Sequence, residues 1–275
     1  MTQNTKKLAI VTANAASTGS NLLATTARRL GYEPLVCLAD DKNAASIIDA
    51  ADAVIYRRSP KTVELYKNIA MHLTNRSHKQ SLLRSLESFS KCDSYTILSR
   101  AHVPMPKSEI VTKVLPPPWL PGVVKAAVGN KGLGVTLVKT IDEYNTAVAK
   151  CLDAENECLY QEYIEESRGA DKRVIVCGSR CVAAMRRIAQ PGEFRANIHL
   201  GAAASTYEPS SQEKEIAIAA VDALELPYAG VDIIDSDEGP LVLEVNPSPG
   251  YAISEITGVD IAKEIIEHIM NEANA

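Results

Sequence analysis

The sequence has no Cys-x-x-Cys pair and no group of histidines and cysteines with zinc-type spacing. Its six cysteines are scattered at positions 37, 92, 151, 158, 177 and 181, and several lie within apolar runs. Structural zinc sites and redox dithiols need closely spaced ligands, so this pattern disfavours both. Reduced cysteines in a protein core are typical of the cytoplasm, which is the compartment we predict.

An excess of positive charge is also lacking, since 34 acidic residues outweigh 29 basic ones and the net charge is −5. Nucleic-acid partners need a basic surface, so we predict none. The apolar run at 8–13 is six residues long, far short of the roughly 20 residues of a membrane span. It predicts a first buried strand instead of a signal sequence, and we expect no membrane partner.

The first third alternates short apolar strands with helices. Strands are predicted at 7–13, 34–39 and 53–57, with helices at 21–30 and 44–51. This alternation predicts a small parallel α/β domain over residues 1–75. A Rossmann oxidoreductase is disfavoured because its G-x-G-x-x-G fingerprint is missing.

The rest of the chain, residues 76–275, predicts a second domain of mixed α and β structure. A helical stretch at 79–100 and a proline-rich loop at 116–121 precede the first strands. Strands are predicted at 122–128, 135–139, 157–164, 172–177, 180–187, 229–234 and 240–245, and helices at 142–152, 214–224 and 261–270. The fold class is therefore α/β with a large α+β part.

A glycine-rich loop, residues 129–134, joins two predicted strands. Its spacing, G-x-x-G-x-G, differs from the dinucleotide and P-loop motifs, and a strand follows it where both motifs need a helix. Glycines let a backbone approach phosphates closely, so a phosphate-covering flap near 125–140 is one interpretation and a plain hairpin the other. Lys125 enters this loop amid apolar residues, where a buried lysine needs a partner such as a nucleotide phosphate.

Three oxygen-bearing side chains are predicted to meet near the C-terminus. Asp232 lies on one apolar strand of the segment 229–247, Glu244 ends the next, and Asn246 shares the face of Glu244. Their apolar neighbours offer few other partners, which favours a magnesium ion bridged to phosphate oxygens. The alternative is a pair of solvated carboxylates and a turn asparagine.

Two further segments allow more than one interpretation. Arg186 and Arg187, followed by the run 193–197, form either a solvated basic face or contacts to a transferring phosphoryl group. The strand around Tyr160 to Ile164 is either core or a surface that presents backbone groups to an adenine and a carboxylate to a ribose.

These elements, in this order, resemble the ATP-grasp superfamily, and within it the RimK-type ligases that add glutamate or a related amino acid to a carboxylate. The likeness runs from about residue 79 to the C-terminus and is closest at 161–164, 187–197 and 229–250, including the run GVDIIDSDEGPLVLEVNPSPG. It implies two α+β subdomains that clasp ATP, with two magnesium ions, or manganese, as cofactor.

The resemblance also implies roles for individual residues. ATP would be contacted by Lys79, Lys125, Gly132, Gly134, Glu162, Tyr163, Ile164, Asp171, Arg195, Ala196 and Asn197. Arg187, Arg195 and Asn197 would act in catalysis. Asp232, Glu244 and Asn246 would hold the metal ions.

Two departures from the family pattern leave the substrates open. The family commonly reads His-Arg-Gly-Gly where this chain has His199-Leu200-Gly201-Ala202, and the first third has no quotable likeness. The implied activity is formation of an acyl phosphate and then an amide, joining an amino acid to a small-molecule or peptide carboxylate. A phosphotransferase and an ATP-binding regulator without turnover are the alternatives, and a homo-oligomer is compatible with all three.

Overall fold

The computed structural model describes residues 5–59, 62–87, 90–129, 134–167 and 169–273. In these ranges the strands form three sheets, one of three, one of four and one of five strands. No helix in the described ranges is both long and apolar enough to cross a membrane.

The first sheet is parallel, as the alternation of strands and helices predicts. Its strands are β1 (Lys7–Thr12), β2 (Glu33–Leu38) and β3 (Ala53–Tyr56), and the associated helices are α1 (Thr18–Arg29), α2 (Ala44–Asp49), α3 (Val63–His72) and α4 (Arg76–Glu87). The strand order is β2-β1-β3. Helix α3 is absent from the sequence prediction.

The helical stretch predicted at 79–100 contains two helices, α4 and α5 (Lys91–Arg100). The Ser90 hydroxyl accepts a hydrogen bond from the Asp93 amide at 3.0 Å, and the Asp93 carboxylate accepts one from the Ser90 amide. This capping box starts a new helix at residue 91. Leu82 of α4 is fully buried in the core around the first sheet. We therefore propose that the domain boundary follows α4 and does not lie at residue 75.

The four-stranded sheet is antiparallel, with the order β4-β7-β5-β6. Its strands are β4 (Ser108–Val111), β5 (Gly122–Ala126), β6 (Val135–Val138) and β7 (Cys158–Glu162), and α6 (Ile141–Glu155) packs on it. A Cβ on Gly122 would lie 2.2 Å from the Tyr160 hydroxyl, so only glycine fits there. That hydroxyl donates to the Trp119 carbonyl at 2.6 Å, which fastens the proline-rich loop to the sheet.

The five-stranded sheet is antiparallel as well, with the order β10-β9-β8-β11-β12. Its strands are β8 (Ala170–Cys177), β9 (Arg180–Ile188), β10 (Ala203–Thr206), β11 (Tyr228–Ser236) and β12 (Gly239–Asn246), and the helices are α7 (Ser211–Ala223), α8 (Ala252–Thr257) and α9 (Ile261–Glu272). Leu23 of α1 and Ile265 of α9 belong to one core with Ile175 of β8. The parallel sheet therefore packs directly against the five-stranded part.

The sequence analysis does not predict the short strands β4 and β10. Each has four residues and lies at the edge of its sheet. Their sequences, SEIV and AAST, lack the apolar run by which the equally short edge strands β3 (AVIY) and β6 (VTLV) are recognised. The cysteines are all free, and those at 37, 92, 158 and 177 are buried, as predicted for core thiols.

Candidate functional site

A cavity of about 420 Å³ lies between the two antiparallel sheets. The four-stranded sheet contributes β5 and β7 to its wall, and the five-stranded sheet contributes β8, β9, β11 and β12. Most of the residues singled out in the sequence line it, namely Lys125, Glu162, Tyr163, Ile164, Asp171, Arg187, Arg195, Ala196, Asn197, Asp232, Glu244 and Asn246. Segments far apart in the chain therefore meet around one space.

Lys125 is buried on β5, and its ammonium group donates to the Gln161 side-chain oxygen at 2.6 Å. Gln161 is held in turn by the Ser108 hydroxyl, which accepts from its amide nitrogen at 3.0 Å. Burial lowers the pKa of Lys125 to about 8, although the charge of Glu244 opposes this shift. The lysine therefore has a neutral partner in a place where an anion would stabilise its charge.

The predicted hairpin of β11 and β12 is confirmed, and it places Asp232 directly opposite Glu244. Directly opposed residues of an antiparallel pair have side chains on the same face of the sheet. Asn246 lies two residues beyond Glu244, opposite Gly230, and also lines the cavity. The hairpin therefore brings two carboxylates and an amide to the same wall.

The expectation that these carboxylates lack other partners is wrong for Asp232. The Arg173 guanidinium donates to both carboxylate oxygens at 2.7 and 2.6 Å, and Arg187 lies 3.1 Å away. Burial raises the pKa of Asp232, but the two arginine charges outweigh burial and leave the pKa below its ordinary value. The arginines come from β8 and β9, which sequence spacing does not relate to Asp232.

Arg187 is buried and joins two carboxylates. It donates to Asp171 through Nε and Nη2 at 2.6 and 2.7 Å, in addition to its contact with Asp232. Burial and the charge of Asp232 raise the pKa of Asp171 to about 6, although Arg187 opposes the shift. Arg187 thus positions Asp232, and its contact with a transferring phosphoryl group stays a prediction. The ribose contact of Asp171 stays one too.

The chemistry of the hairpin fits a magnesium ion that shares its ligands with phosphate oxygens. The side chain of Glu244 is 36% exposed, and its ion-pair partner is Lys91 at 3.8 Å. The side-chain nitrogen of Asn246 is buried without a hydrogen-bond partner among the described residues. Those residues contain no group of three His, Cys, Asp or Glu side chains placed to hold a metal. Glu244 and Asn246 would therefore offer oxygens to Mg²⁺, Asp232 would share its carboxylate with Arg173, and phosphate oxygens would complete the coordination.

Arg195 lies at the cavity wall beside Glu193. Its Nε and Nη2 donate to the two Glu193 oxygens at 3.0 and 2.8 Å. The hydrogen bonds from Arg195 lower the pKa of Glu193 to about 2. This forked pair fixes the direction of the guanidinium.

Lys79, which the sequence analysis expects to contact ATP, does not line the cavity, whereas Lys91 does. Lys79 lies on α4, which packs with the parallel sheet. Lys91 begins α5 and donates to the Gly129 carbonyl at 3.0 Å. The capping pair Ser90 and Asp93 is the sequence signal that marks this helix start.

Of the predicted flap, Gly132 lies outside the described residues, so its role stays a prediction. Gly134 has a φ of +71°, as a glycine turn requires, and its carbonyl accepts from the Ala126 amide at 2.8 Å. Gly134 does not line the cavity. Sequence reasoning also missed Gln161 and Arg173 as wall residues, and no local pattern marks either.

A family model described as the RimK-like ATP-grasp domain matches residues 89–269, more than half of the chain. The chain is 39% identical over 194 residues to a protein of Chromohalobacter salexigens named "Probable alpha-L-glutamate ligase", a match that covers 70% of this chain and 63% of that protein. A protein of the same name from Aeromonas salmonicida is 44% identical over 155 residues, 56% of this chain and 52% of that protein. The matches therefore span less than two thirds of the relatives' length.

Solved structures resemble the chain over nearly all of its length. D-cycloserine synthetase DcsG superposes with a TM-score of 0.76 at 18% identity, covering 97% of this chain and 99% of that one. The ATP-grasp ligase PsnB, complexed with minimal precursor, has a TM-score of 0.73 at 17% identity and covers 99% and 100%. D-alanine–D-alanine ligase from Bacillus anthracis has a TM-score of 0.70 at 17% identity, with 98% and 99% covered. At these identities the likeness shows the fold.

Proposed function

The chain belongs to the RimK-like ATP-grasp family, and on that premise we propose that it is an ATP- and magnesium-dependent ligase. In this proposal it activates a carboxylate as an acyl phosphate and joins it to an amine, adding glutamate or another amino acid to a small-molecule or peptide acid. The observation that carries the proposal is the single cavity in which Asp232, Glu244 and Asn246 meet Lys91 and Lys125. The names of the curated relatives support glutamate as the amine.

The cavity wall suits a nucleotide. The end of β7 and the residues after it, Glu162 to Ile164, supply a polar edge, and Val123 and Ile234 supply apolar surface for a base. Lys91 and Lys125 provide positive charge for phosphates close to the carboxylate of Glu244. The wall therefore offers apolar surface for a base and positive charge for phosphates within one cavity.

The reaction proceeds in two transfers. A carboxylate oxygen of the acid forms a bond to the γ-phosphorus while ADP leaves with the electrons of the broken bond. The amine nitrogen then attacks the acyl carbon, loses a proton and expels phosphate, which leaves an amide. Lys91, Lys125 and Arg195 counter the negative charge of the phosphates during the first transfer. Magnesium, when bound, would supply further charge neutralisation at the phosphate oxygens.

ADP release measured over a panel of carboxylates and amino acids, with product masses recorded, tests this function. We expect one acid and amine pair to stimulate ADP release, and hydroxylamine to trap the acid as a hydroxamate because an acyl phosphate forms. A phosphorylated product without hydroxamate would instead establish the phosphotransferase alternative. Tight ATP binding with no ADP release over the whole panel would favour the regulator.

The affinity for nucleotide should fall as pH rises through about 8, the pKa to which burial lowers Lys125. Lys125 carries its charge below that value and loses it above, and only the charged form attracts phosphate. For one proton the affinity for the non-hydrolysable analogue AMP-PNP should approach a decline of about tenfold per pH unit above the pKa. Calorimetric titration between about pH 7 and about pH 9.5 measures this slope.

Two variants identify the titrating group. Lys125→Arg keeps a positive charge throughout the range and should flatten the slope. Lys139→Met removes an exposed lysine just after β6 and should leave the slope unchanged. A slope that persists in Lys125→Arg would assign the titration to another group.

A further inference from the structure

The carboxyl ends of β1 and β3 lie at the reversal point of the parallel sheet, and the part of the cavity lined there by Arg57 and Arg58 is termed the crevice. With the order β2-β1-β3, the chain leaves β1 toward one side of the sheet and later returns to the other. Ligands of open parallel sheets bind outside the carboxyl ends of strands at such a point. Arg57 and Arg58 follow β3 directly, and both line the cavity between the antiparallel sheets.

Arg57 is held rigidly at this crevice. Its amide donates to the Val11 carbonyl of β1 at 2.8 Å, and its carbonyl accepts from the buried Tyr66 hydroxyl at 2.9 Å. The guanidinium carbon lies 5.2 Å from the centre of the Tyr251 ring. A Cβ on Gly19 would come within 3.0 Å of Nη2, so the start of α1 also confines the side chain.

The charge of Arg57 has no carboxylate partner within the described part of the chain. Its guanidinium donates a long hydrogen bond from Nη1 to the Pro249 carbonyl at 3.4 Å, and its other close polar neighbour is the uncharged Tyr251 hydroxyl. In contrast, Arg173 pairs with Asp232, and Arg187 pairs with Asp171. A guanidinium has five N–H donors in a planar fork that matches the two oxygens of a carboxylate or the oxygens of a phosphate.

The position of Arg57 favours the acid substrate over the nucleotide as the source of this anion. Lys91 and Lys125 lie inside the segment that matches the family model, whereas Arg57 lies outside it, on the parallel sheet. The Arg58 amide donates to the Ser248 hydroxyl at 2.8 Å, which ties this crevice to the chain just beyond Asn246. A molecule held at Arg57 therefore lies next to the predicted site of phosphoryl transfer.

We propose that Arg57, in the crevice at the carboxyl ends of β1 and β3, binds a carboxylate group of the acid substrate. This inference rests on the proposed ligase function and makes it more specific, because it places recognition of the acid on the parallel sheet. The substrate class that this arginine fits is a carboxylic acid that can place a carboxylate at its fork, and an acidic peptide such as triglutamate serves as the probe.

Binding measurements with triglutamate as the probe test the site without requiring turnover. Calorimetric titration with AMP-PNP and magnesium present should give an affinity for triglutamate that falls by about tenfold or more in Arg57→Gln. Arg57→Lys keeps the charge but lacks the planar fork. Its affinity for triglutamate should lie between those of the unaltered protein and Arg57→Gln. Arg100→Gln removes an exposed arginine at the end of α5 and should bind triglutamate like the unaltered protein.

AMP-PNP affinity, measured on the same variants, shows whether Arg57 binds the acid substrate or the nucleotide. It also reports whether the nucleotide site is folded. It should stay unchanged in Arg57→Gln. Equal triglutamate affinity in Arg57→Gln, or no triglutamate binding by the unaltered protein, would overturn the proposal. A selective loss of AMP-PNP affinity, with inorganic phosphate competing at Arg57, would overturn it as well. Triglutamate held through Arg57 without ADP release under any condition would refute the ligase function and leave the site standing.

Discussion

Replacing Glu244 with glutamine should reduce ATP turnover by about a hundredfold or more while the fold survives. The Glu244 side chain is 36% exposed at the cavity wall, and its ion-pair partner, Lys91, is 3.8 Å away. Glutamine has nearly the same shape as glutamate but no charge. The variant therefore weakens metal binding and changes the balance of charge around the phosphates, and ATP turnover falls for these two reasons. Glu244 also supports the protonated form of Lys125, which the variant weakens.

The turnover of Glu244→Gln is measured as ADP release at saturating ATP over a range of magnesium concentrations. Glu238→Gln is the matched control, because Glu238 is an exposed residue at the turn of the same hairpin. It should retain full turnover. Thermal unfolding of both variants checks that the hairpin still forms. Unimpaired ADP release by Glu244→Gln would remove Glu244 from the metal site.

Replacing Arg187 with methionine should lower the free energy of unfolding by about 3–5 kcal/mol. Arg187 is 2% exposed and pairs with the buried carboxylates of Asp171 and Asp232. Methionine fills much of the same volume but leaves Asp171 without a cation and the two carboxylates with less compensation of their repulsion. The decrease in the free energy of unfolding therefore includes the cost of uncompensated buried charge as well as the loss of the Arg187 ion pairs.

Urea unfolding of Arg187→Met and Arg186→Met makes this comparison within one strand. Arg186 is the exposed neighbour on β9, so its replacement should change the free energy of unfolding by no more than about 0.5 kcal/mol. The double variant Asp171→Asn, Arg187→Met should recover part of the loss, because the carboxylate that lost its ion pair is gone and Asp232 still pairs with Arg173. Similar stabilities for the two single variants would show that the network is not a stabilising one.

The β11–β12 hairpin shows what local sequence information can establish. Two apolar strands flank a short Asp-Glu-Gly turn, and the twofold alternation of a strand fixes which side chains share a face. The opposition of Asp232 and Glu244 follows from these local rules, and the structure confirms it. The segment 229–250 carries most of the family resemblance for the same reason, since its residues are close together in the chain.

The first lysine of the cavity shows how a local signal can be misread. The stretch 79–100 has helical character throughout, so Lys79 and Lys91 are alike by periodicity. The capping box at Ser90 and Asp93 divides the stretch and gives α5 its own start. With that division Lys91 falls on the cavity side, and Lys79 falls on a helix of the N-terminal core.

The sequence by itself determined most of the strands of both parts, the glycine turn at Gly134, the hairpin that carries the carboxylates, and the family. It did not determine α3, β4 or β10. Only the tertiary structure decided the partners of those carboxylates and the place of Arg57. Arg173 and Asp232 are 59 residues apart, and Arg57 meets a segment 192 residues away. The spacing of residues along a chain determines which side chains share a face of a helix or strand and where that element begins, because these depend on only a few neighbouring residues. Contacts across sheets depend on how the whole core packs, and no local period encodes them.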